Sequence, residues 1–271
     1  VDYENSLTTF FKSFIDDRLA TIGLVTIENE EDSGNNYREH GDCTDGNLAQ
    51  CDATAAATAS DYAAQLLRAV TIAHGFGLKV ANGGFSSSGI DLWYWYYLYH
   101  LGLYYEADQY ALYAFAGVND DGAKASNLPS LADPNHATFP GNPAAYLHMM
   151  QITDMVALIK ASGIDYVSVH FLSGGPFPGP KYNALQALVQ AVRLPPVSDA
   201  IGIKQDDAGT TWGVLDMGPK LGMPIASWFG GAPQEMGIDR AFAIADPVFG
   251  HLNDLGHLYH CVIVPTATNC P

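Results

Sequence analysis

Apolar positions along the chain recur in two periods, and the switches between them mark out the elements. Leu7, Phe10, Phe11, Phe14, Ile15 and Leu19 keep helical spacing over 6–19, and the apolar run at 21–27 reads as a first buried strand. A polar loop over 31–58 follows. Ser60 is then in place to cap a helix that carries Tyr62, Leu66, Ala69, Val70 and Ala73 on one face and ends at Gly75 and Gly77. Residues 78–82 form a second strand, stopped by Gly83-Gly84. Next come a strongly aromatic helical stretch at 90–116, a long loop at 117–142 and a helix at 143–162. A third strand at 164–171, a Gly/Pro loop at 173–180, a helix at 181–193 and a fourth strand at 197–203 continue the alternation. Thr210 or Thr211 caps a helix ending at Gly222, a fifth strand spans 223–229, and a tail at 231–271 adds a helix near 247–258 and a strand-like segment at 261–264. Strands alternating with helices predict an α/β fold, a parallel sheet wrapped by helices, in one domain over 1–271.

Charge narrows the range of partners. Twelve basic residues stand against 29 acidic ones, a net of −17 in 271 residues, which repels phosphate backbones and argues against nucleic acid. The longest pure apolar run falls far below the roughly 18–20 residues that span a bilayer, so no membrane partner is expected. Cysteines lie in two local pairs, Cys43 with Cys51 and Cys261 with Cys270. Each pair closes a small loop, as two disulfides in an oxidising compartment would, although three pairings are formally open. Together with the acidity, this places the protein outside the cell or on its surface. The chain begins Val-Asp-Tyr, as a trimmed product does, with further sequence upstream an open alternative.

The strand ends carry the chemistry. In order they read Asn29-Glu30, Asn82-Gly83-Gly84, His170-Phe171, Asp199-Ala200-Ile201-Gly202 and Trp228-Phe229. The phrases TIENEEDSGN, LKVANGGFSS, YVSVHFL, VSDAIG and MPIASWF, over about 8–230, resemble the later part of clan A glycoside hydrolases, which are (β/α)8 (TIM) barrels. The resemblance implies strands four to eight of such a barrel within about 20–230. It implies Glu30 as the general acid/base, Asn29 on a sugar 2-hydroxyl and Trp228 beneath a sugar ring. It also implies a carbohydrate partner and no cofactor. His170 is suited to bind a hydroxyl or to orient a carboxylate, and Asn82 beside two glycines suits close approach of a ligand; a core histidine and a tight turn are the plain alternatives. Glu28, two residues before Glu30 on the same strand face, is expected to add a second charge beside it.

Two departures shape the expectation. About 20 residues precede the strand that matches the family's fourth, so the barrel is expected to be incomplete at the N-terminus or atypical. A missing partner segment or self-association would then cover its edges. The family's nucleophile position holds Ala200, whose methyl group cannot attack an anomeric carbon. Asp199 is adjacent, but strand neighbours face opposite ways, which makes it a weak substitute unless a bulge re-aims it. His257 and His260 share a helical spacing, yet no HExxH-type set accompanies them, so no metal is assigned. Two functions remain: a secreted glycosidase-like enzyme, or an inactive relative that binds carbohydrate or serves in an extracellular assembly.

Overall fold

The computed structural model describes residues 2–17, 23–33, 40, 43, 47–115, 143–173, 179–203 and 217–228. Its elements are α1 (Tyr3–Asp17), β1 (Leu24–Ile27), α2 (Leu48–Gly75), β2 (Lys79–Asn82), α3 (Ser87–His100), α4 (Tyr104–Ala114), α5 (Pro143–Leu158), a 3-10 turn (Ile159–Ser162), β3 (Val167–Ser168), β4 (Phe171–Ser173), α6 (Gly179–Val192), β5 (Pro196–Ile203) and β6 (Ala226–Trp228).

Every strand pairing is parallel. β1 runs beside β2 from Leu24 opposite Lys79 to Ile27 opposite Asn82. β5 pairs with β3, β4 and β6. Single bridges at Ala81–Tyr166 and Phe85–Val169 connect the two groups. Parallel strands need covering on both faces, and the helices supply the apolar side chains for it. Leu66, Val70, Ile90, Leu92, Met149, Ile152, Leu185 and Leu188 are buried in one core with Val80, Val167 and Val169 of the sheet.

The eight-stranded barrel implied by the family resemblance is not what forms. The α/β alternation is present, but among the described residues the strands are 2 to 8 residues long and fall into a two-stranded and a four-stranded sheet. Among the described residues β1 has β2 as its one strand neighbour and β6 has β5, and the two outer edges do not meet. Closure needs eight tilted strands with matched stagger, and helices instead make up most of the described chain, α2 alone running 28 residues.

Helix boundaries also depart from expectation. α2 begins at Leu48 under an Asn47 cap, not at Ser60, because the 51–59 stretch CDATAAATA is an Ala-rich helical face with Cys51, Thr54, Ala55, Thr58 and Ala59 buried. Cys51 is thereby brought to Cys43, and the first expected disulfide is formed. Cys261 and Cys270, and the expected tail elements, lie outside the described residues. The aromatic stretch is two helices broken at Gly102, whose φ of +75° ends α3. No helix among the described residues is long and apolar enough to cross a membrane.

Candidate active site

The chain leaves β1 by an abrupt turn. Glu28 and Glu30 both adopt left-handed backbone, φ 68° and 48°, a conformation that costs a non-glycine residue roughly 1–2 kcal/mol. Gly83 makes the turn possible: a Cβ there would sit 2.4 Å from the Glu28 carbonyl carbon and 2.6 Å from the Asn29 nitrogen. The Glu30 N–H donates to the Gly83 carbonyl (3.1 Å), and the Ser33 N–H donates back to the Glu30 carbonyl (2.9 Å). Beneath them the buried Tyr62 hydroxyl accepts from the Gly83 N–H (3.2 Å).

Glu28 does not lie beside Glu30 as a second charge. The left-handed turn sends its carboxylate to the α1 and α2 side, where it accepts from the Tyr3 hydroxyl (3.3 Å) and from Gln65 Nε2 (3.0 Å). The group that Glu30 meets is His170. Its Nδ1 lies 2.8 Å from Glu30 Oε1, and its Nε2 lies 2.9 Å from Asp199 Oδ1. The ring fills the space beside Gly84, where a Cβ would be 2.1 Å from Nε2. The His170 N–H donates to the Phe85 carbonyl (2.9 Å). The Ser168 hydroxyl donates to the same Asp199 oxygen (2.8 Å).

One imidazole thus joins two carboxylates from distant parts of the chain, Glu30 in the turn after β1 and Asp199 within β5. His170 is 4% exposed, whereas Glu30 and Asp199 keep 23% and 34% of their side chains open to solvent. Burial pushes the imidazole pKa down, but the hydrogen bonds and charges of Asp199 and Glu30 outweigh it and raise the pKa to about 9. At neutral pH the ring is therefore an imidazolium that donates from both nitrogens. Burial pushes the Asp199 carboxyl up; the bonds from His170 and Ser168 and the imidazolium charge outweigh it and hold it below the usual range.

Asp199, not Ala200, is the residue of β5 whose side chain reaches His170. Ala200 is buried at 8% exposure. The pairing of β5 with β6 shifts register between Ser198 and Ile201, an irregularity of the kind that re-aims a side chain next to a site. Asn82 lies elsewhere. It is buried, and its amide donates to the Ser168 carbonyl (3.1 Å) while accepting from the Ser168 N–H (2.7 Å). It thereby ties the end of β2 to Ser168 of β3. Asn29 is exposed beside Glu30, and its N–H donates to Glu31 Oε1 (3.3 Å). Trp228 pairs through its backbone with Ile201 in β6.

A second polar cluster escaped the sequence reading. Asp32, Ser86 and His148 are each at most 4% exposed. Ser86 donates to Asp32 from its N–H (2.9 Å) and its hydroxyl (2.6 Å), and His148 Nε2 lies 2.7 Å from the same carboxylate. Burial pushes the Asp32 carboxyl up, and the bonds and charge of His148 with those of Ser86 outweigh it and hold it low. The three residue types suggest a hydrolytic triad, but Ser86 and Asp32 share one imidazole nitrogen, at 3.0 and 2.7 Å. A triad uses the two ring nitrogens separately, and these groups are closed to solvent. The legible signal is Ser86 three residues before Gly89, an N-cap pattern: the Gly89 N–H donates to the Ser86 hydroxyl (3.0 Å) at the start of α3.

Among the described residues no group of three His, Cys, Asp or Glu side chains is arranged to hold a metal. No protein-family model and no curated protein matches the chain.

Proposed function

We propose that Glu30 and Asp199 form a two-carboxylate site for cleaving O-glycosidic bonds of a polysaccharide or glycan outside the cell. The observation that carries this reading is the His170 bridge: two part-exposed carboxylates, each bonded to one nitrogen of a buried imidazolium. With a five-membered ring between them, the bonded oxygens are about 7–8 Å apart, a separation in the range of inverting glycosidases. Glu30 takes the Nδ1 proton of the imidazolium and passes it to the leaving oxygen as the C–O bond breaks. Asp199, the carboxylate held ionised, takes a proton from a water whose oxygen bonds to the anomeric carbon on the opposite face. The ring, left neutral with its proton on Nε2, regains a proton at Nδ1 from solvent as Asp199 releases the water's proton to solvent, which restores the imidazolium between two carboxylates. To Asn29, exposed beside Glu30, the proposal gives a sugar hydroxyl as partner. The Cys43–Cys51 disulfide supports an oxidising, extracellular setting.

Reducing ends released from a panel of soluble polysaccharides test the proposal, with the product anomer followed by proton NMR. Glu30→Gln and Asp199→Asn should each lower turnover by about 10²–10⁴-fold, and the first-formed product should carry inverted configuration. Full activity in either variant refutes the assignment; a retained anomer refutes the role given to Asp199. One observation favours a second reading, glycan binding without turnover: His170 occupies an oxygen of each carboxylate. That reading predicts saturable polysaccharide binding, weakened by Glu30→Gln, with no reducing ends from wild-type protein.

A further inference from the structure

We propose that the buried Asp32–Ser86–His148 cluster is the positioning device for Glu30. It rests on Glu30 being the working carboxylate of the site just described. Glu30 opens a tight turn, Glu30 to Ser33, closed by the Ser33 N–H on the Glu30 carbonyl (2.9 Å). Asp32 is the third residue of that turn, and it is fully buried. Both of its carboxylate oxygens are used. Oδ1 accepts from the Ser86 N–H, and Oδ2 meets the Ser86 hydroxyl and His148 Nε2.

These contacts fasten the turn to two separate helices. Ser86 is the N-cap of α3, so the Asp32 charge lies at the positive end of that helix. His148 belongs to α5. The fit is close enough to exclude a methyl group: a Cβ on Gly89 would lie 2.1 Å from Asp32 Oδ2 and 2.6 Å from His148 Nε2. On the other side of the turn, the Glu30 N–H is held by the Gly83 carbonyl. The left-handed Glu30 backbone (φ 48°) persists because both ends of its arc are clamped. Among the described residues Asp32 bonds to Ser86 and His148 and not to His170 or Asp199, so its effect on the site passes through the placement of Glu30.

His170 reports that placement without any need for turnover. Its nitrogen resonances, in protein labelled with 15N-histidine and assigned by their loss in His170→Gln, are titrated in wild type, Glu30→Gln, Asp32→Asn and Ser86→Ala. Wild type should titrate near 9, and Glu30→Gln should lower the midpoint and set the scale. Asp32→Asn, close in shape, should give at least half of that fall, and Ser86→Ala a smaller fall in the same direction. An Asp32→Asn protein with native near-ultraviolet circular dichroism and a wild-type His170 midpoint overturns the proposal. So does a midpoint that Glu30→Gln itself leaves in place. If Asp32→Asn fails to fold, Ser86→Ala decides by the same criterion. Absence of glycosidase activity from every protein would remove the proposed reaction and leave this result standing. Where turnover is measurable, Asp32→Asn should lower kcat while KM stays within about twofold, the mark of an interaction made in the transition state alone.

Discussion

Replacing Gly84 by alanine should damage fold and site together, and the two costs can be separated. The backbone at Gly84 has φ +81°, and the added methyl would stand 2.1, 2.3 and 2.8 Å from three atoms of the His170 ring. The ring has nowhere to retreat without loss. Its nitrogens are bonded to Glu30 and Asp199, and the backbone N–H of His170 donates to the Phe85 carbonyl. Left-handed backbone costs an alanine about 1–2 kcal/mol, and overpacking adds roughly 1–3 kcal/mol. The substitution should therefore destabilise by about 2–5 kcal/mol, a fall in Tm on the order of 5–15 °C for a chain of this size. Gly102→Ala supplies the control, since Gly102 has φ +75° and nothing within 4 Å of its would-be Cβ. It should show the backbone cost alone, about 1–2 kcal/mol. Urea unfolding of both variants gives the difference, which belongs to the clash with His170. In Gly84→Ala the imidazole should also titrate nearer its ordinary 6.5 than the wild-type value of about 9. Equal destabilisation in the two variants, with His170 still titrating near 9, would refute the placement of the ring.

Stability should fall on both sides of neutrality, for different residues. Asp165 accepts from Lys79 Nζ (2.7 Å), His74 Nε2 (2.8 Å) and the Val80 N–H (3.0 Å). Burial pushes its pKa up, but these bonds win and bring it down to about 2. A depressed carboxyl stabilises fully above its unfolded value of 3.8 and loses that contribution as pH falls through about 2. After allowance for solvent screening it is worth about 1–2 kcal/mol. Asp165→Asn should flatten this acid limb in urea titrations, and an unchanged limb would refute the assignment. His170 behaves in the opposite sense. Its raised pKa stabilises fully below 6.5, and the contribution is lost as pH rises through about 9, about 2–3 kcal/mol in all. His170→Gln should be less stable than wild type at pH 6 and close to it at pH 10; a constant gap across that range would sink the linkage.

Much of the element order was legible because periodicity is a local signal. The strands at Leu24–Ile27 and Lys79–Asn82 fall where the apolar runs placed them, and α6 begins two residues before the expected 181. The errors arose where local signals compete. The polar residues of 31–58 suggest a loop, although CDATAAATAS is a good helix former and Asn47 caps it. Gly102 broke one long aromatic pattern into α3 and α4 because a left-handed residue ends a helix whatever the flanking side chains prefer. The barrel expectation had a different origin. It came from phrases at strand ends, and such phrases say nothing about how many strands lie side by side or whether the outer two meet. Sheet closure depends on stagger across the whole sheet, which no short phrase encodes.

Why Asp199 and not Ala200 faces Glu30 follows from the same distinction. A strand read alone has strict alternation, so placing Ala200 toward the cleft turned Asp199 away. β5, however, serves three neighbours at once. Its first residues pair with β3, its last with β4, and its other edge with β6, where the register slips between Ser198 and Ile201. The slip falls at Asp199 and Ala200, and the side chains beside them have partners from the neighbouring strand. Ser198 bonds to the Val169 carbonyl, and Ser168 and His170 bond to Asp199. Orientation at this point is a property of the sheet, not of the strand. The same holds for Gly83 and Gly84, which read as room for a ligand. Each is filled by the protein itself, the first by the Glu28–Asn29 backbone and the second by the His170 ring. Glycine there lets two carboxylates and an imidazole from distant parts of the chain converge. A sequence reading finds Glu30 and His170 as separate strand-end residues, but their contact depends on what the adjacent strand leaves empty.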